Sequence, residues 1–356
     1  MTTAFDPVRV GDWTLPQRFV MAPLTRNRAG AHMVPPELSV EYYAQRAGAG
    51  LIISEATQPS VAGQAYMNIP GIHTTDQVEG WRRVGTEVHA RGGRIVVQLM
   101  HSGRISHPEN KLGVETVAPS AIAAPGKIVT PTGRKPYPVP RALETAELPE
   151  VIEQYVQAAR NTIAAGLDGV ELHSANGYLL HQFLAPSTNV RTDVYGGSPE
   201  ARARFVIEVT RAVTEAIGAA KVGIRISPAH NVHGAIESDP AETRATYTAL
   251  IDGIADLGLA YLHVLADPFA ESTQHLRRRF GGVFIANDGF AEITTLDDVE
   301  QVVRGGYADL VAVGRPYIAN PDLALRWRTG AALNEPDSAT FYAGGATGYT
   351  DYPFLD

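Results

Sequence analysis

The residues most able to do chemistry in this chain fall in one decapeptide, Gly169-Val-Glu-Leu-His-Ser-Ala-Asn-Gly-Tyr178. Its first four residues read as the end of a short buried strand. The apolar pattern then stops, and His173, Ser174, Asn176 and Tyr178 follow in close order. His173 and Asn176 both donate hydrogen bonds, and Tyr178 carries a transferable proton with a pKa of about 10. Two donors aimed at one point polarise a carbonyl or nitro oxygen. The same residues could equally form a capped strand end with a satisfied histidine.

Further polar residues stand at or near the ends of other apolar runs. Thr25 closes one, Gln98 stands near the end of another, and Arg225 lies inside a third between Ile224 and Ile226. Asn287-Asp-Gly-Phe290 and Gly314-Arg315 end the last two. A Gly-rich strand end followed by a Gly-Arg pair suits a phosphate, because backbone N–H groups and a guanidinium converge there. A buried Arg225 requires an anionic or strongly accepting partner. Glu55 and Glu171 are candidates within the chain, and the electron-rich edge of a reduced flavin is one outside it.

Positioning these groups takes eight short apolar runs. They are Arg18–Leu24, Leu51–Ala56, Arg94–Met100, Gly169–Ala175, Lys221–Pro228, Tyr261–Ala266, Val283–Asp288 and Leu310–Arg315. Near-continuous apolar character marks strands covered on both faces of a parallel sheet. Helical patterns alternate with them over Pro36–Ala47, Asp76–Arg91, Leu148–Ala165, Glu200–Ile217, Ala241–Leu257 and Thr294–Arg304. Eight such units in 356 residues predict an α/β fold, a (β/α)8 TIM barrel in a single domain spanning 1–356. A doubly wound sheet with a second domain loses ground, because no Gly-x-Gly-x-x-Gly follows the first strand. The insertion 101–148 follows the third strand. It is rich in Pro, Gly and Ala, and is expected to hang over the active-site mouth as a lid or binding segment.

Composition narrows the function. A net charge of −8 argues against nucleic acid as a partner. The absence of cysteine excludes disulfides, thiolate metal sites and any cysteinyl flavin linkage. The N-terminus lacks a signal-peptide pattern and no apolar run is long enough for a membrane span, so a cytoplasmic location is expected. His230-Asn-Val-His233 and the His173/His181 pair do not have metal-ligand spacing, so no metal is expected and the histidines outside the decapeptide are read as structural or surface groups. Arg277-Arg-Arg279 reads as a solvated helix face.

Taken in order, these segments resemble the old yellow enzyme family of flavin-dependent ene-reductases. The resemblance runs from about Phe5 to Pro353. It rests on Met21-Ala-Pro-Leu-Thr-Arg26, Glu41-Tyr-Tyr-Ala-Gln-Arg46, Gln98-Leu-Met-His-Ser-Gly-Arg104, His173-Ser-Ala-Asn-Gly-Tyr-Leu-Leu-His-Gln-Phe183, Asn189-Val-Arg-Thr-Asp-Val-Tyr-Gly-Gly197 and Gly314-Arg-Pro-Tyr-Ile-Ala-Asn-Pro-Asp322. It implies noncovalent FMN lined by Ala22, Pro23, Leu24, Thr25 and Ala56. Gln98 would lie at the pyrimidine edge and Arg225 near N1, with Asp288, Gly289, Gly314 and Arg315 at the phosphate. It further implies that His173 and Asn176 bind the substrate oxygen, that Tyr178 donates the proton, and that Tyr66, Met100 and Tyr342 shape the substrate pocket. NAD(P)H would be the reductant and activated alkenes the substrates, both entering one mouth in turn.

Three departures from the family pattern stand out. Met100 replaces a frequent Trp. Asp288 replaces a common Gly, so only its backbone N–H is expected to face the phosphate. Ala201 replaces a frequent Asn at a helix start. Two other readings compete on the residues alone: a metal-dependent barrel hydrolase, and a flavin-binding protein without turnover.

Overall fold

The computed structural model describes residues 2–291, 293–342 and 344–355. Its centre is a closed barrel of eight parallel strands. In chain order these are Phe19–Met21, Ile52–Ile53, Ile95–Leu99, Gly169–Ser174, Val222–Ile226, Tyr261–Leu265, Phe284–Asn287 and Leu310–Val313. Each pairs with its sequence neighbours, and the last closes on the first through Val311–Phe19, Ala312–Val20 and Val313–Met21.

Period-two alternation sends the two faces of each strand to different places. In the third strand, Ile95, Val97 and Leu99 face the helical shell. Val96 joins the barrel interior and Gln98 turns into the mouth cavity. The lower interior is apolar, built from Val20, Leu51, Ile53, Val96, Tyr261, Ile285 and Leu310. An N-terminal hairpin, Val8–Val10 with Trp13–Leu15, packs into the same cluster and closes that end. Gly223 is required opposite Tyr261, since a Cβ there would lie 2.2 Å from the tyrosine ring.

The helices form for local reasons and stay for tertiary ones. Thr75–Ala90 begins at a Thr74/Gln77 capping box and buries the expected stripe of Trp81, Val84 and Val88. Leu148–Ala164 carries Pro149 in its first turn. Pro199–Ile217 keeps its cap despite Ala201, because the Ser198 side chain accepts from the Ala201 backbone N–H at 3.2 Å. The short helices Leu179–Leu184, Arg315–Ala319 and Leu323–Thr329 were not legible as periodic segments; each spans fewer than two or three turns. Among the described residues, no helix is long and apolar enough to cross a membrane.

Segment 101–148 is not bare loop. It contains a hairpin, Lys127–Thr130 with Gly133–Pro136, and a short parallel pair, Val117–Ala118 with Arg141–Ala142. Buried side chains anchor it: Lys111 donates to Ala62 O at 3.2 Å, and Arg104 to His233 O at 3.0 Å. The C-terminal tail is held by arginines. Arg26 donates to the carbonyls of Phe341 and Gly348, and Arg28 to those of Thr340, Phe341, Gly345 and Thr347.

Candidate active site

A cavity of about 980 Å³ opens at the C-terminal end of the barrel strands. It collects side chains from most of the chain. Ala22, Pro23, Leu24 and Thr25 come from the first strand and its loop, Ala56 from the second, and Gln98 and Met100 from the third. His173, Asn176 and Tyr178 come from the fourth strand and its loop, and Arg225 from the fifth. Asn287 and Gly289 follow the seventh strand, and Gly314 and Arg315 the eighth. Tyr66 and Tyr342 stand in its walls. Every site residue picked out from the sequence lines this cavity except Asp288, whose side chain borders a neighbouring cavity of about 390 Å³ with Asp267 and Asp298.

The floor is a hydrogen-bonded polar row set by strand register, in which Gln98 lies beside Glu171 and His173 beside Arg225. Gln98 donates to one Glu171 oxygen at 2.7 Å, and His263 Nδ1 contacts the other at 2.9 Å. Burial works against the Glu171 charge, but His263, Arg225 and Gln98 outweigh it and hold the carboxyl below its ordinary value. Burial lowers the His263 pKa, and the Glu171 charge opposes that shift.

Arg225 forms neither of the ion pairs considered from the sequence. Glu171 bonds to Gln98 and His263, and Glu55 accepts the Arg26 backbone N–H at 3.1 Å. Arg225 instead donates to Asn287 Oδ1 at 3.3 Å, and its Nε has no partner although the residue is only 4% exposed. A buried guanidinium retains its charge. The residue lines the cavity, and a guanidinium with donor capacity to spare there suits an anion or a strong acceptor.

The loop after the fourth strand is held by its backbone. Asn176 has φ 57° and Gly177 φ 78°, and a Cβ on Gly177 would meet Val232 O at 2.6 Å. Ser227 Oγ accepts the Asn176 N–H at 2.9 Å, and His181 Nδ1 accepts the Gly177 N–H at 2.8 Å. Burial, then the nearby Arg225 charge, lowers the His173 pKa far below its ordinary value, so the ring is neutral. Its Nδ1 and the Asn176 Oδ1 have no partner within the protein. Burial pushes the Tyr178 phenol up to about 12, and it therefore keeps its proton across the neutral range. Its hydroxyl lies 3.1 Å from that of Tyr66.

Charge separates this cavity from the rest of the surface. The chain carries −8 overall, yet the described lining residues include Lys127, Arg225 and Arg315 and no carboxylate. Gly289, with φ 114°, and Gly314 flank Arg315, which donates to Phe290 O at 3.1 Å. These residues fit FMN: a cation and a glycine-lined rim for the phosphate, and an unpaired guanidinium with an amide beneath a ring-sized, largely apolar space.

Other lining residues were not singled out from the sequence. The insertion hairpin contributes Lys127, Ile128 and Val129, and Tyr137 follows it. Asn27 and Asn68 contribute from loops at φ 54° and 58°. His233, read from the sequence as a structural or surface group, lies in the cavity wall between Tyr66 and Asn176. No local pattern marks these residues, because loop paths bring them in.

Comparison with known proteins gives the family and the fold. The family described as NADH:flavin oxidoreductase / NADH oxidase matches residues 3–334. A probable flavin mononucleotide-dependent alkene reductase of Leishmania infantum is 42% identical over 359 residues, covering 98% of this chain and 96% of that protein. The structure of morphinone reductase in complex with tetrahydroNAD is similar at 46% identity and a TM-score of 0.94, covering 100% of this chain and 98% of that one. The old yellow enzyme homologue from Zymomonas mobilis is similar at 39% identity and a TM-score of 0.94, covering 99% of this chain and 100% of that one.

Proposed function

The chain belongs to the NADH:flavin oxidoreductase / NADH oxidase family, that of the old yellow enzymes, and from that premise we propose how its own residues carry out alkene reduction. It is an FMN-dependent alkene reductase that uses a nicotinamide reductant. Bound FMN would supply the redox chemistry, a hydride taken from NAD(P)H for the electron-poor carbon of an α,β-unsaturated carbonyl or nitro-alkene. Gly289, Gly314, Arg315 and the Asp288 backbone would hold its phosphate. Gln98 and Arg225 would meet the polar edge of its ring system, and Ala22 to Thr25 with Ala56 would line the rest. A cysteinyl linkage is excluded because the chain has no cysteine, and the attachment would be noncovalent.

The remaining roles fall to the fourth-strand loop. His173 and Asn176 donate hydrogen bonds to the substrate carbonyl or nitro oxygen, stabilising the enolate-like charge that develops there. Tyr178 gives its proton to Cα as general acid. A phenol kept protonated by burial suits that role. Tyr66, Met100 and Tyr342 bound the space left for the alkene. Reductant and alkene use one mouth, so they bind in turn and the kinetics are ping-pong.

The observation that carries this reading is the coincidence, in one cavity whose described lining has no carboxylate, of the Arg225 guanidinium with the polar side chains of His173, Asn176 and Tyr178. The test is direct. Purified protein should be yellow, bleach with NAD(P)H under anaerobic conditions, recover its colour with cyclohexenone, and release FMN on acid precipitation. Protein that bleaches but does not recover with any enone or nitro-alkene would rule out the alkene as oxidant.

A further inference from the structure

On that reading Tyr178, which lines the cavity, must recover a proton after every turnover. Behind it the structure holds a chain of hydrogen-bonding groups. The Tyr178 and Tyr66 hydroxyls are 3.1 Å apart, and Tyr66 Oη is 3.4 Å from His233 Nε2. On its other side the His233 ring meets the backbone carbonyl of Asn176, with Nδ1 2.8 Å from the oxygen. A carbonyl only accepts, so Nδ1 carries the hydrogen and Nε2 is left as an acceptor aimed at Tyr66. That assignment orders the whole row: Tyr66 donates to His233, and its oxygen is free to accept from Tyr178. His233 is only partly buried, whereas His173 and Tyr178 are buried.

The geometry points to a proton relay in which Tyr178 is reloaded from solvent through His233 and Tyr66. The inference rests on the reading of Tyr178 as proton donor. One proton moves per turnover. The Tyr178 O–H bond breaks as the Cα–H bond forms. Tyr66 then gives its proton to the phenolate and recovers one from His233, whose Nε2 takes it from a solvent hydronium or buffer acid while Nδ1–H stays on the Asn176 carbonyl. The relay runs away from the substrate, so it works while product is still bound.

Two substitutions separate proton transfer from architecture. His233 has φ 55°, a conformation that asparagine and glycine tolerate. His233→Asn keeps a side-chain amide that can donate to the Asn176 carbonyl, but it offers Tyr66 no titratable nitrogen. His233→Gly leaves a slot that imidazole can enter. In both variants, pre-reduced enzyme should complete its first reaction with cyclohexenone at the wild-type rate, because Tyr178 already holds its proton. Steady-state kcat should then fall by about tenfold or more, an effect at or below the scale of losing a general acid. Added imidazole should restore the Gly variant and not the Asn variant. Wild-type kcat in the Asn variant, or a Gly variant slowed but not restored by imidazole, would overturn the relay. Tyr178→Phe run in parallel isolates the premise. If that variant turns over like wild type, the proton-donor reading itself fails; if it is slow while His233→Asn is fast, only the relay fails.

Discussion

Two of the places where this molecule buries arginine meet the hydrogen bonds of that residue differently. Arg26, Arg28 and Arg46 gather where the first barrel loop, the helix Glu37–Gln45 and the C-terminal tail meet. Arg46 donates to the carbonyls of Tyr317, Tyr42 and Ile318 at 2.7–2.8 Å. Arg26 uses Nε, NH1 and NH2 on Phe341 O, Tyr42 Oη and Gly348 O at 3.0, 3.0 and 2.7 Å. Their guanidiniums lie over Tyr42 and Tyr349, whose rings stack 4.0 Å apart. Arg225, on the cavity floor, has one long bond and an orphaned Nε. The saturated group ties a tail to a barrel. The unsaturated one has capacity left for a ligand. Burial alone does not distinguish a structural cation from a binding one; unspent hydrogen-bonding capacity at a cavity wall does.

The largest effect is expected at the cavity. Tyr178→Phe should slow enone reduction by about 10² or more while flavin reduction by NAD(P)H continues at a similar rate, measured as separate half-reactions by stopped flow. Nitro-alkenes should suffer less in the hydride step, since a nitronate can be protonated afterwards. Equal losses in both half-reactions would place Tyr178 outside proton transfer.

A paired substitution addresses the arginines themselves. Arg26→Met strips the buried Gly348 carbonyl and the Tyr42 phenol of their donor and leaves Phe341 O to Arg28 alone, and should cost about 3 kcal/mol of stability in denaturant titration of the holoenzyme. Arg225→Met removes a buried cation with little internal bonding. Stability of the FMN-free protein should then change by no more than about 1 kcal/mol, because apolar replacement of buried charge is often neutral. FMN affinity should fall by about 10- to 100-fold, read by fluorescence of released flavin. Similar stability losses in both variants would erase the distinction.

Glu55 offers a pH test of the tail-clamp side. Burial raises its carboxyl to about 7, only partly offset by the Arg26 and Asn27 backbone N–H groups and Tyr43. Below pH 4.5 it is neutral folded or unfolded. As pH climbs from there to about 7 the unfolded chain ionises first, so stability falls; above that it is level. At about 1.4 kcal/mol per pH unit, the loss is about 3 kcal/mol at most. Glu55→Gln should flatten the stability profile across that window. An unchanged slope would show that Glu55 is ionised throughout.

The smallest effect is one of selectivity. Met100 is buried in a cluster with Ala56, Ile69, Ile105 and Tyr178, and it also lines the cavity. Its thioether chain can move aside where a rigid indole cannot. Met100→Trp should reduce kcat/KM for bulky cyclic enones by about 1–3 kcal/mol while sparing cyclohexenone. If both substrates respond alike, the hairpin Lys127–Thr130 and Gly133–Pro136 shapes the pocket instead.

The eight strands and the inward set of Gln98, Glu171, His173, Arg225, His263 and Asn287 follow from local pattern. A strand alternates its faces every residue, so once the apolar runs are recognised, the side chains that must point to the mouth are determined by their own neighbours. The sequence alone also determined the absence of a cysteinyl linkage and the order of the motifs along the barrel. The tertiary structure decided the walls. Tyr66 meets Tyr178 from 112 residues away, and His233 reaches both Tyr66 and the Asn176 carbonyl. The hairpin at Lys127–Val129 arrives from an insertion, and Phe341 and Tyr342 arrive on a tail held by Arg26 and Arg28. It also turned the Asp288 side chain to a different cavity and left Arg225 without a carboxylate partner. Loop paths are set by long-range hydrogen bonds between side chains and backbone carbonyls, which leave no period in the sequence, whereas strand faces are set within two residues.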